Sequence, residues 1–503
     1  MSGPAKNITA FRNGFFAQLN PQKILFGLFT AVISASILLA FAFDNLFLLA
    51  LPAVAIFGYL AILDLRVIYW ILWASIPLST EFFLPGGLGT DLPSEPLAVF
   101  LILASFIWML PRINLLKFTH LVHPITILLL LHFGWICLTA LLSENILVSF
   151  KFALAKSWYI AAYFFLAFLF IKSEKDVRKW LLVVVIPMVF SILWVMARHS
   201  GQGFTFASIN SVLSPFYRNH VTYASTIVIF IPFLWYLNRT AIKPGSRRIW
   251  FFLIGFLIIG TYFSFTRAAY ACIPLMAGYY FIVKWKLTKW VIGGSLVAAG
   301  IFLAVLAHQN KYLDYAPDYD RTITHYQFDQ LLSATYKMED ISTMERFYRW
   351  IAGMYMLREA PVTGFGPGNF YNFYHSFTDR NFETYVSDNP EKSGTHNYFL
   401  MVAVDQGVTG VLIFIILASA MLLRGERLYH RARSLTEKRF VMAILLSLIS
   451  ILFLQLLNDM IETDKVGALF FFIAAMLVAM DLKWISFQPG EGENMMLSES
   501  RES

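Results

Sequence analysis

Apolar stretches separated by short polar segments run through nearly the whole chain. Read by hydropathy, about fourteen of them are candidates for membrane-crossing helices, which need roughly 20 apolar residues each. They lie near 24–43, 46–63, 67–79, 96–111, 124–142, 152–171, 180–197, 220–237, 249–266, 268–283, 290–307, 397–423, 440–457 and 466–481. The third and fourth are short and bounded by Pro77 and Pro96. They read as half-spans or tilted pieces, so the expected count is about 12–14. The pattern predicts an all-α polytopic membrane protein. Its parts are a cytoplasmic tail (1–23), a transmembrane bundle of about eleven spans (24–307), a large external loop (308–396), further spans (397–481) and a second cytoplasmic tail (482–503).

Composition narrows the class. Of 503 residues, 58% are hydrophobic and 14% charged, against about 45–50% and about 25% in a soluble chain. That leaves too little charge to cover a soluble surface, and it excludes disorder, a collagen, a disulfide scaffold and a coiled coil. Cys137 and Cys272 fall inside apolar runs, as core thiols do. The net charge of +8 raises the question of a nucleic-acid partner, and the placement of the 39 Lys and Arg residues answers it. With the N-terminus inside, cytoplasmic segments collect Lys172, Lys175, Arg178 and Lys179, then Arg239, Lys243, Arg247 and Arg248, then Lys284, Lys286 and Lys289. The richest holds Arg424, Arg427, Arg431, Arg433, Lys438 and Arg439. Loop 80–95, on the other side, has no Lys or Arg and carries Glu81, Asp91 and Glu95. This is the asymmetry of a multi-pass membrane protein with both ends inside. Membrane lipids account for the basic balance, and nucleic acid is not needed. The first 23 residues are polar and the run after them is long enough to span, so no cleavable signal is expected.

The informative polar residues gather at the outer side. Segment 308–396 is too long for a plain connector. Ser342-Thr343-Met344-Glu345 has the form of a capping box. It predicts a helix to about Glu359, with Phe347, Ile351, Met354 and Tyr355 on one face and Arg346 and Arg349 together on a neighbouring one. The turn Gly364-Phe365-Gly366-Pro367-Gly368-Asn369-Phe370 either packs the loop onto the bundle or points N–H groups, those of Gly366 and Gly368 among them, at an anion. It is no P-loop. His396 stands at the outer N-terminus of the membrane helix that starts about Asn397. The helix dipole there disfavours imidazolium and leaves a neutral ring able to act as a general base; a capping histidine is the alternative. Arg218-Asn219-His220 precedes the eighth span, and Arg267 lies in the tight turn Ser264–Tyr270. Ionisable residues at membrane depth are functional candidates by default, with snorkelling anchors as the alternative. Asp405, roughly two and a half turns below His396, is expected to pair with an arginine. Asp318-Tyr319-Asp320 is a weak metal candidate, and no metal or cofactor is demanded.

Cations and a neutral base at one rim of an apolar bundle suit a lipid diphosphate. Arginine forks match phosphate oxygens, and they neutralise the leaving diphosphate as the sugar bond breaks. The base takes the proton of an acceptor hydroxyl that attacks the anomeric carbon. The stretches Asn219–Pro232, Ser264–Ala271, Arg346–Trp350, Pro361–Phe370 and Thr395–Gly410 also carry a resemblance. Mainly over 205–425, the chain resembles the O-antigen ligase and O-antigen polymerase superfamily of bacterial envelope glycosyltransferases. The resemblance implies a glycosyltransferase C-like fold. It implies glycan transfer from a polyprenyl (undecaprenyl) diphosphate donor at the periplasmic face, by an inverting reaction without metal. His396 would be the base. Arg267, Arg218, Arg346 and Arg349 would hold the diphosphate, with His220, Asn397, Gly366 and Gly368 in support. The acceptor stays open: lipid A core for a ligase, a lipid-linked repeat for a polymerase, a protein hydroxyl for an oligosaccharyltransferase. A lipid-linked oligosaccharide flippase or transporter is the reading from another class. It would set charge along a central path, usually with repeats, whereas here the polar residues gather at one rim. A structural envelope protein leaves His396 and Arg267 unexplained.

Overall fold

The computed structural model describes residues 21–84, 88–111, 118–308, 341–379, 382, 387, 389, 393–485 and 487. Asp318 and Asp320 lie outside the described residues, as do most of the two expected tails. The chain divides into two compact units, 1–71 and 72–503. The first holds α1 (Pro21–Ala42), a short 3-10 turn and α2 (Leu51–Leu63), with apolar side chains such as Phe41 and Ile62 84% exposed, as lipid-facing surface requires. Helix α3 (Leu65–Ser75) crosses the boundary between the units.

The second unit holds α4 (Ser94–Met109), α5 (Pro124–Leu141), α6 (Ile146–Phe170), α7 (Glu174–Ser200), α8 (His220–Thr240), α9 (Pro244–Tyr262), α10 (Arg267–Lys284) and α11 (Thr288–Ala307). After the long loop come α12 (Ile341–Glu359), α13 (Tyr398–Arg431), α14 (Leu435–Leu454) and α15 (Asp464–Asp481). Each apolar stretch of the sequence coincides with a helix. Among the described residues, seven helices (α1, α5, α6, α7, α8, α11 and α13) are long and apolar enough to cross a membrane. The protein is an all-α polytopic membrane protein. Helices α8, α14 and α15 are apolar on all sides and form the centre of this unit; every residue from Asp464 to Met480 is buried. A helix that is hydrophobic all round belongs inside. Trp73, Tyr163, Trp180 and Phe472 knit this centre edge to face, with Trp180 stacked on Phe472 at 4.1 Å. One element departs from the all-helical reading. Residues Thr80–Leu84 (β1) and Leu88–Leu92 (β2) form an antiparallel hairpin with Thr80 opposite Leu92, and the intervening Pro85-Gly86-Gly87 carries turn chemistry.

The loop helix α12 packs on α13 through a small apolar core of Tyr348, Ile351, Ala352, Met356, Phe365 and Val404 with neighbouring aromatics. Helix α13 is broken at Gly407, whose φ of 71° no ordinary helical residue adopts. The break frees carbonyls and amides that lipid cannot satisfy, and the glycine-rich turn satisfies them. Phe365 N donates to Val404 O and Gly366 N to Asp405 O, both at 2.9 Å. Val408 N donates to Pro361 O at 2.8 Å, and Trp135 Nε1 donates to Gln406 O at 2.8 Å. A Cβ on Gly407 would land on the carbonyl oxygen of Val362. Gly407→Ala is therefore expected to destabilise the protein by about 4 kcal/mol or more. Thermal unfolding in detergent measures this, and a melting temperature equal to wild type would contradict the plugged break.

Candidate active site

Helix α13 begins after Asn397, whose Oδ1 accepts from Leu400 N at 3.1 Å as an N-cap. Asn397 thus works as a cap, and His396 precedes it. His396 has a left-handed backbone, φ 52°, which is uncommon for a non-glycine residue. Neighbours hold the chain there. Trp350 Nε1 donates to Thr395 O at 2.8 Å, Arg349 Nη1 to Gly394 O at 3.4 Å, and Asn389 Nδ2 to Ser393 O at 3.0 Å. The His396 ring is half-buried, and its Nδ1 has no hydrogen-bond partner among the described residues. Burial first, then the charges of Arg346 and Arg349, hold its pKa down to about 3. The ring is neutral, as the sequence predicts. Its causes are burial and two guanidiniums, where the sequence pointed to the helix dipole.

Two further elements meet this end of the bundle. Asn219 Oδ1 caps α8 by accepting from Thr222 N at 2.9 Å. Asn210 Oδ1 accepts from His220 N at 3.1 Å and lies 3.0 Å from His220 Nδ1. An oxygen can only accept, so Nδ1 carries the proton and Nε2 keeps its lone pair. Thr266 Oγ1 donates to His220 O at 3.2 Å, tying α8 to the four-residue turn Phe263–Thr266 that joins α9 to α10. Arg267 is the first residue of α10, at the positive end of that helix's dipole. The charges of Arg346 and Arg267 both act on the His220 ring, and Arg346 also acts on His396. Arg346 therefore lies within electrostatic reach of both imidazoles, and Arg267 within reach of His220. Arg218 is exposed, with Nε 3.8 Å from Glu81 Oε2, a weak solvent-screened pair.

Other expected residues are engaged elsewhere. Arg349 is buried, with Nη2 3.2 Å from Glu345 Oε2, and Ser387 Oγ donates to Glu345 Oε1 at 2.8 Å. Helix α12 is described from Ile341 onward, and the side chain of Ser342 lies outside the described ones; the Glu345 carboxylate faces Arg349 and Ser387. The buried face of α12 is Met344, Tyr348, Ile351, Ala352 and Met356, while Met354 and Tyr355 are substantially exposed. The face is rotated from the expected one because Glu345, one turn before Arg349, compensates that charge inside. Gly366 N is given to the Asp405 carbonyl and Gly368 N, at 2.9 Å, to Asp405 Oδ2. The glycine-rich turn is thus a packing turn, and these amides are not offered to an anion. Asp405 correspondingly binds backbone amides where an arginine was expected.

One residue escapes the sequence reading. The Asp459 carboxylate lies against Gly394, where a Cβ would sit 2.7 Å from Oδ2. Burial raises its pKa and Glu462 adds to the rise, while Arg218 and Arg349 oppose it. The available signal is its position in a short polar turn, 458–465, between two apolar runs, the same logic that marks Arg267. Glu462 in that turn takes both carboxylate oxygens to Lys156 Nζ, at 2.7 and 2.8 Å. Among the described residues no His, Cys, Asp or Glu cluster has metal-binding geometry.

No curated protein matches this chain. Residues 250–415 match the family described as O-antigen ligase. That range starts in α9 and includes Arg267, α12, the glycine-rich turn, His396 and the break in α13. Over this segment, about a third of the chain, the protein is similar to the O-antigen ligase family.

Proposed function

We propose that the protein transfers a glycan from a polyprenyl diphosphate to an acceptor hydroxyl at the outer face of the inner membrane. The observation that carries this reading is the neutral imidazole of His396, its Nδ1 without a partner and within electrostatic reach of Arg346, inside the segment that matches the O-antigen ligase family. The acceptor O–H gives its proton to His396 as its oxygen attacks the anomeric carbon. The bond from that carbon to the diphosphate oxygen breaks, and the electron pair stays on the diphosphate. Arg346 and Arg267 stabilise the charge there, with Arg218 at the exposed edge. Attack opposite the leaving group inverts the anomeric centre. Helix polarity supports a periplasmic site: α10 runs from Arg267 to Lys284 and α13 from Tyr398 to Arg431. Their far ends carry the basic residues that mark a cytoplasmic side.

The test is the glycan of a deletion strain. Long polymer accumulated on the polyprenyl carrier identifies a ligase, which is the expected outcome. Single repeats joined to the lipid A core identify a polymerase. An unaltered lipid-linked pool on the outer face would sink both.

A further inference from the structure

Arg349 differs from the other arginines at this end of the bundle. It is 6% exposed and its partner Glu345 is 7% exposed. The two terminal nitrogens of its fork are both spent inside the protein, Nη2 on the Glu345 carboxylate and Nη1 on the Gly394 carbonyl. Ser387 holds the remaining Glu345 oxygen. A diphosphate would have to displace Glu345 to reach this guanidinium. The next residue, Trp350, donates to the carbonyl of Thr395. Two successive side chains of α12 therefore grip two successive carbonyls directly before His396, at a point where the backbone turns left-handed. The Asp459 carboxylate also packs on that turn: a Cβ on Gly394 would lie 2.7 Å from its Oδ2. A left-handed non-glycine residue persists when its surroundings over-determine it, and these contacts are such surroundings.

We infer that Arg349, held by Glu345, is a positioning residue: it fixes the turn that aims the His396 ring and does not bind the donor. This rests on His396 being the base of the reaction proposed above. Removing the brace leaves the donor ligands Arg346 and Arg267 in place, so the loss falls on turnover. Displacement of a reacting group by about 1 Å costs about 10²-fold.

The experiment measures transfer by purified protein in liposomes with varied donor concentration, at a temperature well below unfolding. Arg349→Lys, which can satisfy Glu345 or Gly394 but not both, is expected to lower kcat about tenfold with donor KM within about twofold of wild type. Glu345→Gln, which still accepts from Arg349, is expected to keep most of the turnover. A rise of donor KM in Arg349→Lys with kcat unchanged would make Arg349 a donor ligand and overturn the inference. Unchanged kcat and KM would overturn it as well, leaving only a packing role. Should the Lys variant fail to fold, donor binding is read in Glu345→Leu on a His396→Ala background. Affinity equal to His396→Ala alone supports the brace, and weakened affinity overturns it. Normal transfer by His396→Ala itself would refute the base reading, whatever Arg349 does.

Discussion

Replacing His396 by alanine is expected to cut glycan transfer about 10²–10⁴-fold, the usual share of a general base, with the protein still folded in the membrane. The turn does not depend on the imidazole. Its shape is held through backbone carbonyls by Arg349, Trp350 and Asn389, and the ring nitrogen Nδ1 bonds to no described group. The pH profile supplies an independent check. With a folded pKa of about 3, the imidazole is in its basic form across the neutral and mildly acidic range. The acid limb of kcat/KM from this group, which reports the free enzyme, is therefore expected near pH 3–4 and not near the ordinary histidine value of about 6.5. The sign for stability follows. Between about pH 6.5 and about 3 an unfolded chain binds the proton that the folded site refuses, so stability is lost as pH falls through that window. Transfer by His396→Ala at the wild-type rate would remove the base assignment, and an acid limb at pH 6.5 would remove the environment argued for it.

His396 and Arg267 stand out in the sequence and Asp459 does not, and physical context is the reason. A charged or titratable residue at the lip of an apolar run has few reasons to be there, and both residues stand alone against such a background. The helices are legible for the same reason, since about 20 apolar residues in a row have essentially one conformation available in lipid. Asp459 sits in a polar turn with Asn458, Glu462 and Asp464, where one acid does not stand out from the next; only its seat against Gly394 distinguishes it. The break in α13 is hidden differently. Gln406-Gly407-Val408-Thr409-Gly410 reads as continuous apolar helix, and the carbonyls it frees are satisfied by a turn some forty residues earlier in the chain, a pairing with no local signature. Arg349 is misread because spacing on a helix puts it beside Arg346, whereas the buried partner Glu345 draws it to the inner side. Local periodicity locates elements well. It does not tell which charge has found a mate.

Arg346→Ala is expected to lower kcat/KM about 10²–10³-fold, the range for loss of one preorganised charge-stabilising group. Arg346→Lys should recover little of this, because a point charge does not reproduce the two-pronged guanidinium contact with phosphate oxygens. Arg346 stands apart from its neighbours in its electrostatic reach. Its charge acts on both imidazoles, His220 and His396, so a diphosphate bound to it leaves within reach of the base. Arg218, exposed and loosely paired with Glu81, should matter less, and Arg267 should fall between. Arg346 also leaves a second signature. Its charge is one of the causes that hold His396 down, so its removal lets the His396 pKa rise toward the ordinary value. The acid limb of the residual activity then moves to higher pH. A residue acting only as a donor ligand would weaken binding without moving that limb, and a residue acting only on His396 would move the limb without weakening binding. Donor affinity and the acid limb, measured together in Arg346→Ala, separate these cases; a variant with wild-type affinity and an unmoved limb would take Arg346 out of the site.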